Sequence, residues 1–291
     1  TLAAGQWTQL NRVLESAGYA NGWATVERVA GTDAFYAYGV VNDNLTGDGT
    51  FVAPEPVGRT ADALTLPAAV HTSAFTTELV LTNPGSSPIQ LSFQAHSGRE
   101  VILQPHEQRF IPDVVSYLGI TASASSIVVG PSAGRAAAFH SSARTFSSAP
   151  EGGTFGVAYP AIASSEAALS ETWVYGLKQD GLSRSNLAMT VVNPPAAFPS
   201  DNPPPSPMTV DFFDGDSGVF KGTTVVPLQL RGDWQQVNAA LSSFGIRNGY
   251  VRVRAPVGNF QPFLAYGVVN DGATPGQGTG DGSYLSMTPV K

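Results

Sequence analysis

Gly130-Pro131-Ser132-Ala133-Gly134 follows the strand-like run 127–129 with the G-x-S-x-G spacing that lifts a nucleophilic hydroxyl onto a tight turn, as hydrolases require. Gly215-Asp216-Ser217-Gly218 resembles the segment around a serine-protease nucleophile, but no cysteine and no histidine motif accompanies it. His71, His96, His106 and His140 lack the spacing of a zinc site. Oxygen chemistry is better represented. Asp43 and Asp48, Asp271 and Asp281, and Asp211, Asp214 and Asp216 sit in turns of the kind that can hold calcium, although Asn-Asp and Gly-Asp-Gly are also ordinary turn formers and no EF-hand loop is present. Calcium is therefore the only cofactor considered. The aromatic residues Trp173, Tyr36, Tyr38 and Tyr266 form a pool for stacking against a ligand such as a sugar ring, whereas Trp7 and Trp234 belong to an apolar stripe and read as core.

What must position these residues is an internal repeat. Residues 5–22 (GQWTQLNRVLESAGYANG) align without gaps on 232–249 (GDWQQVNAALSSFGIRNG). Further on, AYGVVND at 37–43 recurs at 265–271, and TGDG at 46–49 recurs at 279–282. A weaker repeat joins 77–84 to 186–194 and 89–98 to 208–218. The stretches equivalent to Ser132 hold Ala30-Gly31-Thr32-Asp33 and Pro256-Val257-Gly258-Asn259, and Gly215-Asp216-Ser217-Gly218 corresponds to His96-Ser97-Gly98-Arg99. A framework repeated without its nucleophile points to hairpin turns at both serines. No enzyme activity is expected.

Each repeated unit reads as a rear half and a front half. In the rear half, Trp7, Leu10, Leu14 and Ala17, like Trp234, Val237, Leu241 and Phe244, have the spacing of a short amphipathic helix, with Gly18 and Gly245 placed to terminate it. Alternating strands over 23–29 and 35–41, or 250–254 and 263–269, complete a hairpin. The front half supplies strands over 78–82 and 89–94 around Asn83-Pro84-Gly85. The expected fold is mainly β: tandem immunoglobulin-like antiparallel β-sandwich modules, each with one short helix. Residues 1–57 are a rear half alone, 58–160 a complete module, and 161–291 a second complete module whose rear half, 232–291, repeats 1–57. Residues 147–170 read as a linker with one strand at 155–159, and 194–207 as an exposed proline-rich loop.

Composition narrows the partners. Charged residues are 13% of 291, Gly (31) and Pro (22) are abundant, and the formal charge of −7 lacks the basic footprint of nucleic-acid binding. No run approaches the ~18 apolar residues of a membrane-spanning helix. With no Cys, stability rests on packing. A surface poor in Lys and rich in Ser, Thr, Gly and Ala favours export, to an extracellular or cell-surface location. At its repeated NG-Y/W-V-x-V, YGVVND and TGDG segments the chain resembles uncharacterised tandem-repeat β-sandwich proteins exported by soil bacteria such as acidobacteria. That resemblance implies extracellular placement and repeat architecture and supplies no catalytic residue.

Five half-units cannot pair evenly within one chain. A lone rear half exposes an apolar sheet face and open strand edges, which soluble proteins normally cover; the candidate covers are a neighbouring copy of the chain, the rest of a longer repeat array, or an arrangement of the three rear halves that closes internally. Covering even ~800 Å² of apolar area is worth of order 20 kcal/mol before ordering entropy is subtracted. The expectation is an extracellular structural protein that self-associates head to tail into an oligomer or filament through its unpaired half-module. The alternative is a surface adhesin, a module that binds a glycan or another surface protein through loops, the proline-rich segment and Trp173.

Overall fold

The computed structural model describes residues 2–94, 98–192, 207–228, 233–258, 261–272 and 281–289. His96 and almost all of the proline-rich segment 194–207 lie outside the described residues, as do Thr279 and Gly280 of the repeated TGDG.

Residues 2–57 form little regular structure. The helix expected over 5–22 reduces to one turn, α1 (Val13–Ser16), closed by Gly18 in the left-handed region at φ 79°. The strand expected over 23–29 is absent, and the next is confined to β1 (Gly39–Asn42), paired with β2 (Gly49–Val52). An amphipathic segment of this length has no stable helix or strand of its own without a surface to pack on.

The first module contains β3 (Leu64–Val70), β4 (Thr76–Thr82), β5 (Ile89–Gln94), β6 (Glu100–Leu103), β7 (Gln108–Ile111), α2 (Val114–Leu118), β8 (Ala124–Pro131), β9 (His140–Ser148), β10 (Thr154–Pro160) and β11 (Ile162–Ala163). Asp113 caps α2 by accepting the Ser116 N–H. Two antiparallel sheets, β10-β9-β4-β7 and β11-β3-β8-β5-β6, enclose a core that includes Leu66, Leu79, Leu81, Leu91, Phe93 and Ile127. The stretch 154–160, expected as a strand within a linker, is the edge strand of the first of these sheets.

The second module repeats this plan with β12 (Glu171–Lys178), β13 (Ser183–Val191), β14 (Met208–Asp214), β15 (Phe220–Val226), β16 (Trp234–Val237), β17 (Asn248–Arg254), β18 (Phe263–Asp271), β19 (Gly282–Leu285) and β20 (Met287–Pro289). Its sheets, β19-β18-β13-β16 and β20-β12-β17-β14-β15, have the strand order of the first module position for position. Even the irregularity recurs: the β3–β8 ladder slips between Leu66 and Ala69, and the β12–β17 ladder slips at the equivalent Val174 and Leu177. The chain is mainly β, as the repeat implied, with two short α-helices among the described residues.

One local expectation fails in an informative way. Trp234 and Val237 are not on a helix; β16 pairs with β13, and a 3₁₀ turn at Ser242–Phe244 follows, ended by Gly245 at φ 63°. Leu241 still enters the core, and Phe244 stacks on Phe212 at 4.4 Å. Strand plus 3₁₀ turn thus directs those two residues inward much as a helix would, and the free backbone of β13 selects the strand.

Candidate functional site

The repeat lets each residue of 2–57 be compared with a copy whose surroundings are complete. In the second module β17 lies between β12 and β14, and β18 pairs with β13. There Phe263 is 0% and Tyr266 1% exposed; their counterparts Phe35 and Tyr38 are 53% and 51% exposed. Val26 is exposed where its counterpart Val253 is buried, and Trp7 is 70% exposed. What the first copy lacks is a front half. No strand forms over 23–29 or 35–38, because nothing equivalent to β12, β13 and β14 supplies partners there.

The part that does form matches its counterpart closely. Gly39, Val40, Val41 and Asn42 pair with Val52, Phe51, Thr50 and Gly49, as Gly267, Val268, Val269 and Asn270 pair with Leu285, Tyr284, Ser283 and Gly282. Tyr38 and Phe51 lie 5.5 Å apart at 33°, and their counterparts Tyr266 and Tyr284 lie 5.6 Å apart at 34°. In the second copy these rings have a task. Tyr266, Val268 and Ala188, with Trp234 and Tyr284 against them, pack on Ala68, Val157 and Tyr159 of the first module and so join the modules. Tyr266 accepts the Trp234 indole N–H at 2.9 Å, and its own hydroxyl reaches the Pro67 carbonyl at 3.4 Å; Thr190 Oγ1 donates to Ser126 Oγ at 2.9 Å. Tyr266, expected among the ligand-binding aromatics, is therefore structural, and burial pushes its hydroxyl pKa well upward.

The β1–β2 hairpin is held on the first module by its acidic turn. Asp43 accepts the Thr154 N–H at 2.9 Å, and Asp48 Oδ2 accepts from Arg144 Nη2 at 2.7 Å and from the Gly156 N–H at 3.1 Å. The Asp48 side chain is 1% exposed. Its Oδ1 is buried without a hydrogen-bond partner, and the side chain lies against the carboxyl of Asp281, the equivalent residue of the other copy. Of the seven aspartates considered for calcium, the structure brings Asp48 and Asp281 together; Asp43 bonds its own turn and Thr154, Asp271 accepts the Asp281 N–H, and Asp211, Asp214 and Asp216 accept from Arg252, Ser217 and Asn248. Among the described residues no three His, Asp or Glu side chains converge on a metal position.

This contact is pH-sensitive. Burial, then the hydrogen bond and charge of Asp48, push Asp281 up to about 6 from 3.8; Asp271 adds to the rise, and Arg144 faces the pair from β9 with Glu78 opposite it on β4. A raised carboxyl holds its proton better in the packed state, so its contribution is complete below about pH 4 and lost as pH rises through about 6. Asp43, brought down to about 2 chiefly by the N–H groups of Thr46 and Leu45, acts oppositely and contributes above about pH 4. Amide exchange of residues 39–52 is expected to quicken between pH 5 and 7 beyond its intrinsic pH dependence. Asp281→Asn should flatten that rise.

A second uncovered surface lies on the outer face of the β20-β12-β17-β14-β15 sheet. Trp173 and Tyr175 are parallel within 4°, Phe213 and Tyr250 within 3°, and the two pairs are tilted about 40° from each other across the twisted sheet. Phe220 continues the row onto β15. Beside it, Asp211 accepts from Arg252, Arg254 and Thr223; burial would raise its carboxyl, but those partners hold it below the usual range. A shallow hollow of about 330 Å³ at one end is lined by Tyr175, Lys178, Asp216, Asn248 and Tyr250.

The remaining expected residues are placed plainly. Ser132 is exposed on a turn where its N–H donates to Gln90 O, and Ser217 closes a turn by donating to Asp214. His71 pairs with Asp113 at 2.8 Å, and His106 lies beside Trp23, whose indole N–H donates to its carbonyl. Tyr36 is exposed next to Tyr38. Arg144 and the Tyr175–Tyr250 contact carried no sequence signal as site residues. Protein-family models, curated proteins and solved structures contain no match to the chain.

Proposed function

We propose that this is an extracellular structural protein that associates head to tail through residues 2–57, giving an oligomer or filament at a cell surface. The observation that carries the reading is the contrast between Phe35 and Tyr38, each more than half exposed, and Phe263 and Tyr266, the same residues buried where a module is complete. Contiguous apolar surface of this extent marks an interaction site rather than a solvated one. Extracellular placement is supported by the lysine-poor surface and by the resemblance to exported repeat proteins. Light scattering tests the association: the mass of the full chain should rise with concentration, and Tyr38→Asp with Phe51→Asp should shift that rise at least tenfold to higher concentration. A monomer over the whole range would overturn the reading.

The aromatic row on the second module favours a second reading, an adhesin that stacks a glycan or docks a surface protein on Trp173 and Tyr175. Glycan binding that disappears in Trp173→Ala is the result expected of it.

A further inference from the structure

Resting on the head-to-tail reading, the question is which surface of the neighbouring copy receives residues 2–57. The chain contains one solved instance of the contact. The second module covers the first by placing Trp234, Tyr266, Val268 and Tyr284 over Ala68 of β3 and Val157 and Tyr159 of β10, while Thr190 of β13 bonds Ser126 of β8; Ala68 and Ser126 are each 1% exposed. The unpaired rear half carries the same four positions as Trp7, Tyr38, Val40 and Phe51, all apolar and all exposed, and its two central rings already have the geometry of the covering pair. It is the covering half of a module contact with nothing beneath it.

The covered half can be located by the same equivalence. The matched slips in the β3–β8 and β12–β17 ladders align Thr65, Pro67 and Ala68 with Trp173, Tyr175 and Gly176, and Ser126 and Val128 with Tyr250 and Arg252. In the first module these positions lie under the second. In the second module they carry the aromatic row, with Tyr175 49% exposed. We propose that the outer β12–β17 face of one copy is the docking surface for the β1–β2 hairpin and Trp7 of the next, in the arrangement by which the second module packs on the first.

Residues 2–57 thus carry a covering surface, and the second module a receiving surface, of matching apolar chemistry. A heterologous contact of this kind propagates instead of closing on itself unless its rotation happens to form a ring. The exchange of 2–57 for 233–289 within a neighbour's second module explains less, because it releases as much apolar surface as it buries. Docking on the β12–β17 face leaves both modules intact.

Because the chain has no Cys, introduced thiols report without background. Tyr38→Cys and Tyr175→Cys variants, mixed at a concentration where the chain is associated and treated with a short bis-maleimide, should give a covalent heterodimer. Tyr38→Cys mixed with Ser132→Cys, an exposed turn of the first module, should not. Tyr175→Asp, at an exposed position, should weaken association at least tenfold, as Tyr38→Asp does. If Tyr38→Asp disperses the oligomer while Tyr175→Asp does not, and the 38–175 pair cross-links no better than the 38–132 control, this docking face is wrong and self-association stands. A wild-type chain that is monomeric throughout removes both. Oligosaccharide binding by Tyr38→Asp that is lost on adding Tyr175→Asp, without the cross-link, would assign the face to a glycan and overturn the inference.

Discussion

Phe263→Ala is expected to destabilise the second module by about 3–5 kcal/mol, while Phe35→Ala, at the same place in the first copy, should change unfolding of the isolated chain by no more than about 0.5 kcal/mol. Phe263 is fully buried between β18 and the opposing sheet, among core residues that include Val191 and Met189 of β13. Its removal costs the transfer energy of a ring and leaves a cavity that the two sheets cannot close. Phe35 has no such enclosure, being more than half exposed. Its substitution should instead raise the concentration needed for association. Denaturant unfolding of dilute samples, with light scattering of concentrated ones, reads both halves of the contrast. Equal destabilisation by the two substitutions would mean that residues 2–57 are packed within their own chain.

Arg144→Met is expected to release the β1–β2 hairpin, at a local cost of about 3–5 kcal/mol, the range found when one partner of a buried ion pair is removed. Arg144 spans the contact: Nη2 donates to Asp48 Oδ2 at 2.7 Å, Nε to Thr50 Oγ1 at 2.9 Å, and Nη1 to Thr154 Oγ1 at 3.0 Å. Without it, the Asp48 carboxylate, 1% exposed and facing Asp281, has lost its countercharge in a site that water scarcely reaches. Apart from the bonds of Asp43 and Thr46 to Thr154 and of Asp48 to the Gly156 N–H, little else holds the hairpin, since β1 is exposed along its length and β2 nearly so. Limited proteolysis within residues 43–52 should therefore accelerate by two to three orders of magnitude, while global unfolding of the two modules changes much less. Unchanged cleavage would show that Arg144 does not anchor the hairpin and that the bonds of Asp43 and Thr46 to Thr154 suffice.

The parts of this fold that were legible are those marked by their own alternation and turn residues. The strands over 78–82 and 89–94, joined at Asn83-Pro84-Gly85, were legible, whereas β2 and its pairing with β1 were not. The repeat itself exposed the odd half-module, because matching 5–22 to 232–249 requires no structural knowledge. Legibility ended where a residue's fate is decided by a distant surface. Tyr266 looks like any exposed strand tyrosine until Ala68 and Tyr159, more than a hundred residues away, close over it. Trp234 to Phe244 has helical spacing because a four-residue strand, a turn and a 3₁₀ turn reproduce it; only the free backbone of β13 distinguishes the two. Residues 23–29 alternate as well as 248–254 do, yet a strand forms only where flanking strands supply hydrogen bonds on both sides. Neither Arg144 nor Asp281 has a local signature, since each acquires its role from Asp48 across the fold.

Hydrogen exchange over residues 23–41, followed as a function of protein concentration, asks most directly what lies against the first half-module. Protection is predicted to be slight in dilute solution and to grow as the chain is concentrated, with the same concentration dependence at Trp173–Tyr175. Strong protection that is already complete in dilute solution, and indifferent to concentration, would place the missing cover inside the chain and contradict assembly through residues 2–57.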